Sequence, residues 1–129
     1  MMPLLLLAAA SADLDALDRA VAQCDRKAVN PVFASEAERR SQFLLDAYRE
    51  EEAVVAGRLA LADQRRALRE AGTTTSAEEK QLGLQDAALD DRQKALNDRR
   101  MLEGIRQDAM DNMRRYFLTN CPAGRDIGK

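Results

Sequence analysis

The chain has 129 residues, 33% of them charged, with two Tyr, three Phe and neither Trp nor His. That length supports one domain, and so few aromatic side chains disfavour a large globular core. The 20 basic and 22 acidic residues leave a net charge of −2, spread in mixed sign, which excludes the one-signed footprint of a nucleic-acid binder.

Met1-Met2-Pro3 leads into an apolar run from Leu4 to Ala10, and the run closes on Ala10-Ser11-Ala12, a triplet of A-x-A type. Residues 1–12 therefore read as a secretory signal peptide cleaved after Ala12, although no Lys or Arg precedes the apolar run. On this reading the mature protein is periplasmic or secreted. The alternative makes Leu4 to Ala10 the first turns of a cytoplasmic helix. Either way the run is too short to cross a bilayer, so no integral membrane segment is expected in the mature chain.

Residues 13–129 are expected to form a single all-α domain, because Ala, Leu, Glu, Gln, Arg and Lys dominate while Gly and Pro are few. Asp13 is placed to cap a first helix over about 14–29, with Leu14, Leu17, Val21, Cys24 and Ala28 on one face. Asn30-Pro31 should stop it, since proline restricts the residue before it and lacks the N–H that would continue the ladder. Ser35-Glu36-Ala37-Glu38 has the pattern of a capping box and is expected to open a second helix over about 35–71. Gly72 ends that helix, residues 72–76 form a tip, and Ser76-Ala77-Glu78-Glu79 opens a third helix over about 77–118.

The two long arms mirror each other about Thr75. Leu68, Leu61 and Val54 stand opposite Leu82, Leu89 and Leu96, seven residues apart on each arm. Such spacing predicts a long antiparallel two-helix coiled-coil hairpin, with the short N-terminal helix packed at its open end. Charges of opposite sign fall at matching heights: Glu50 and Glu51 against Arg100 and Arg99, Arg39 against Asp111, and Glu36 against Arg114. Phe33, Phe43, Tyr48, Tyr116 and Phe117 cluster toward the open end with Leu102, Ile105, Met110, Met113 and Leu118, where a small three-helix core is expected to bury them.

Cys24 and Cys121 are the two cysteines, one before the first long arm and one after the second. An even count in an exported chain favours a disulfide between them; two independent buried thiols remain open on the cytoplasmic reading. Val55, Leu59 and Ala62 lie off the main seam and make a candidate interaction face. Ordinary exposed aliphatics are the competing interpretation of that face.

No catalytic, cofactor-binding or metal-binding residues emerge from the sequence. Histidine, the commonest acid/base and zinc ligand, is absent, and Gly72, Gly83 and Gly104 are isolated rather than grouped in a phosphate-binding loop. Acidic neighbours such as Asp90 and Asp91 fan out around a helix instead of converging. The expectation is a non-enzymatic, exported protein without a cofactor that binds a protein partner or itself, as a holding chaperone or adaptor. A cytoplasmic coiled-coil adaptor that escorts export substrates and a purely structural spacer are the alternatives. In plan alone the arrangement resembles periplasmic chaperones with helical tentacles, but this chain is acidic where they are basic and lacks a strand-forming body, so no family follows.

Overall fold

The computed structural model describes residues 13–72 and 74–121. Residues 1–12, which contain the expected signal peptide, and the tail from 122 onward lie outside the described residues. The fold is all-helical: α1 covers 13–22, α2 runs Arg26–Ala71 and α3 runs Ser76–Asn120. No strand occurs among the described residues.

The first break lies at 23–25, not at the expected Asn30-Pro31. The Cys24 N–H donates to the Val21 carbonyl (3.1 Å) and the Asp25 N–H to the Ala20 carbonyl (2.9 Å), while Cys24 takes a left-handed φ of 52°. This is the Schellman ending of a helix, with Cys24 at the position glycine usually fills. Asp25 then caps α2: its Oδ1 accepts the Ala28 N–H at 3.3 Å, and its carbonyl accepts the Val29 N–H at 3.0 Å. Two helix-terminating devices thus operate side by side, and α2 continues through Pro31. Proline there deletes one hydrogen bond near the helix start, and burial of Val29 beside half-buried Val32 and Phe33 outweighs that loss. Ser35 consequently sits inside a helix, its hydroxyl donating back to the Val32 carbonyl (3.1 Å) instead of capping.

The second junction differs from expectation by one residue. Thr75, not Ser76, is the cap of α3, its Oγ1 accepting the Glu78 N–H at 3.1 Å, and Glu78 and Glu79 occupy the first turn where acidic charge complements the helix dipole. Gly72 follows α2 with φ 69°, as the sequence indicates.

The chain divides into two units. Among the described residues, one contains those from Asp13 to Arg40 together with those from Gly104 to Cys121; the other is Ser41–Glu103. In the first, Leu17 and Val21 of α1 pack with Val29, Met110, Phe117 and Cys121. The Phe33 and Phe117 rings are 6.2 Å apart, and the Arg26 guanidinium lies 5.1 Å above the Phe117 ring while donating to the Cys121 carbonyl. The expected aromatic core is only partly realised. Tyr48 and Tyr116 are exposed, as are Leu102, Ile105 and Leu118, because the buried stripe of each long helix is narrow and these positions point away from it.

In the second unit Leu61, Leu82 and Leu89 form the core with Leu68 packed against it, and Val54 and Leu96 are fully buried. These are the six mirror positions. Gly57 permits close approach, since a Cβ there would lie 2.6 Å from Leu89 Cδ2. Cross-helix ion pairs join Arg92 to Glu50, Arg100 to Glu51, Arg58 to Asp90 and Arg65 to Asp86. Individual partners differ from the simple mirror: Glu51 takes Arg100 instead of Arg99, and Glu50 takes Arg92 instead of Arg100.

Candidate interaction face

Helical geometry decides which α2 side chains share a face. At about 100° per residue, Leu44, Tyr48, Val55, Leu59 and Ala62 fall within an arc of about 60°, set about 100° around the helix from the buried seam of Ala47, Val54 and Leu61. All five are exposed, Leu44 by 67% and Leu59 by 64%, and all belong to the Ser41–Glu103 unit. The sequence-predicted Val55, Leu59 and Ala62 are thus the C-terminal part of a longer ridge. Leu44 and Tyr48 were missed because Tyr48 was grouped with the aromatics of the open end. The signal that locates it is the seven-residue step Tyr48, Val55, Ala62.

Glu52 interrupts the ridge. The phenol of Tyr48, one turn away, has its pKa raised above the ordinary 10.0 by hydrogen bonding toward the Glu52 carboxylate and by that group's negative charge. The pair turns a charged gap into a locally satisfied one. On one flank stand Glu51, held by Arg100, and Arg58, held by Asp90, with Arg49 and Asp63 on the other. Ala62 also lines an open groove near the end of α2, with Arg65, Leu68, Arg69, Glu79 and Leu82. The row is thus apolar along its centre and bordered by charges of both signs.

Cys24 and Cys121 belong to the other unit, far from this ridge in sequence. Their Cα atoms are 5.5 Å apart, which is disulfide distance. The same unit contains the most organised charge cluster among the described residues. Glu36 accepts bonds from Arg39 (2.7 and 2.9 Å) and Arg40 (2.9 Å), and Arg40 extends to Asp111 at 2.8 Å. The expected cross-helix partner of Glu36, Arg114, is replaced by these two arginines on its own helix. Arg39 holds the Glu36 carboxyl below its ordinary 4.5, against the upward effect of burial and with a further lowering from Arg40. Among the described residues no group of three or more His, Cys, Asp or Glu side chains is placed to hold a metal ion. No described helix is long and apolar enough to cross a membrane.

No protein-family model matches the chain, and no curated protein or solved structure matches it. The functional reading therefore rests on the residues themselves.

Proposed function

We propose that this is an exported, non-enzymatic protein that folds as an antiparallel coiled-coil hairpin and binds other proteins, acting as a holding chaperone or adaptor through the α2 ridge. The exposed row Leu44, Tyr48, Val55, Leu59 and Ala62 carries this reading. Scattered exposed aliphatics are normal on any protein, whereas five on one narrow arc, interrupted by Glu52, form a row whose burial on a partner is favourable. Export is supported by the Ala10-Ser11-Ala12 triplet and by two cysteines at disulfide distance. Three ion pairs in the Ser41–Glu103 unit, Glu51 with Arg100, Arg58 with Asp90 and Arg65 with Asp86, support the antiparallel pairing, since the α3 numbers fall as the α2 numbers rise.

The test is suppression of aggregation. Light scattering from a client protein diluted out of urea without reductant should fall when the oxidised chain is added, and the double substitution Val55→Glu with Leu59→Glu should abolish the effect at unchanged helical content. A wild-type chain that leaves scattering unaltered would sink the chaperone reading, and an equally active double variant would move the binding surface elsewhere.

A further inference from the structure

We propose that the slot between α1 and α3 is a second binding site, for a peptide segment that presents one large apolar side chain beside a Lys or Arg. The slot has a volume of about 310 Å³ and lies wholly in the unit that contains α1. Val21 and Met113 supply its apolar floor, Asp18 and Ala22 stand on the α1 side, and Asn112 and Tyr116 on the α3 side. Val21 is part of the buried core of this unit and Met113 packs against that core, so the floor is fixed before a ligand arrives. The site is separate from the α2 ridge and stands whether or not the ridge binds a client.

Charge and size select the occupant. Asp18 lines the slot and Asp15 lies one turn before it; both are exposed, and among the described residues neither carboxylate has an ion pair or hydrogen bond. They differ in this from Glu51 and Asp90, which are committed to arginines. A carboxylate at the mouth of an apolar slot favours a cation, and the half-exposed Tyr116 on the opposite side offers that cation an aromatic face. Arg115 on α3 donates to Asn112 Oδ1 at 2.6 Å and to the Asp111 carbonyl at 3.4 Å, so the basic group on that side is engaged and a ligand cation is directed to Asp18. The volume is at the lower limit of small-molecule sites, which suits a single anchoring side chain presented by a peptide. Ala22, the smallest side chain of the rim, leaves that anchor a path to the floor, and the unbranched, polarisable Met113 adapts to aliphatic and aromatic anchors alike.

Titration of the oxidised full chain with the peptide Gly-Lys-Leu-Phe-Lys-Gly, followed by backbone amide chemical shifts, should give saturable changes at Asp18, Val21, Ala22, Met113 and Tyr116. The same peptide with Glu in place of both Lys should bind about fivefold or more weakly. Asp18→Lys should reverse that preference. Ala22→Trp, which fills the slot from an exposed position, should weaken the basic peptide by about tenfold at unchanged helical content. Val55→Glu with Leu59→Glu should leave the titration as it is in the wild type. Equal affinity for the two peptides overturns the charge assignment, and an Ala22→Trp chain that binds like the wild type overturns the slot. Shifts that fall on the α2 ridge and vanish in the ridge variant place the peptide there and overturn a separate site. No saturable change with either peptide overturns the proposal while leaving the client-binding reading to its own aggregation assay.

Discussion

Glu36 is a buried charged side chain on α2, and its stability rests on the two guanidinium groups that satisfy it. Replacing one member of such a cluster leaves the others partly desolvated and short of an acceptor, which costs more than a surface pair is worth. Glu36→Gln should therefore destabilise the fold by about 1–2 kcal/mol, a value below that of a fully buried pair because Arg39 and Arg40 remain partly exposed and Arg40 keeps Asp111. The pH dependence follows from the lowered carboxyl. Its folded-state pKa lies below the ordinary 4.5, so its stabilisation is complete above that value and is lost as pH falls through the folded-state pKa. Thermal melts of wild type and variant should stay separated at neutral pH and converge in acid. A gap that persists unchanged at the acid end would mean that Glu36 acts through packing and not through charge.

Helix ends are where sequence and structure part company. The existence, number and type of the helices were legible, as were the six mirror positions, five buried and Leu68 partly so, because seven-residue spacing over several turns admits few other folds. Gly72 was legible too, since its left-handed φ matches its residue type. Cys24 concealed the α1 terminus by occupying that conformation without being glycine; a left-handed L-residue costs on the order of 1 kcal/mol, and its proximity to Cys121 gives a reason for cysteine there. Pro31 misled in the opposite direction, since a residue that usually ends helices stands inside one. The ridge was half legible, its C-terminal part visible by period and its N-terminal part hidden behind an assumption about where aromatics belong. Pro31→Ala restores an N–H within reach of the Lys27 carbonyl and removes ring crowding, so it should stabilise the chain by about 1–3 kcal/mol. Chemical denaturation reads this directly; a neutral or destabilising result would mean that α2 does not run unbroken from Arg26.

At the scale of the whole chain, the two units draw on different resources. The unit containing α1 has a mixed aromatic and aliphatic core, the Glu36 cluster and the two cysteines, whereas the Ser41–Glu103 unit relies on a narrow leucine column and exposed ion pairs. A cross-link between Cys24 and Cys121, 97 residues apart, would stabilise by about 4–5 kcal/mol on the chain-entropy model, a large part of the 5–15 kcal/mol typical of a domain. That dependence joins stability to compartment, because an oxidising environment sustains the bond and a reducing one removes it. Intact mass with and without reductant, on protein expressed from its first methionine in a Gram-negative host, tests both at once. The expected species begins at Asp13 and is two hydrogens lighter until reduced, and its thermal midpoint should fall by many degrees on reduction. A species that retains Met1 and two free thiols would overturn export and shift the reading to a cytoplasmic adaptor, in which the buried Cys121 contributes only as a small apolar side chain.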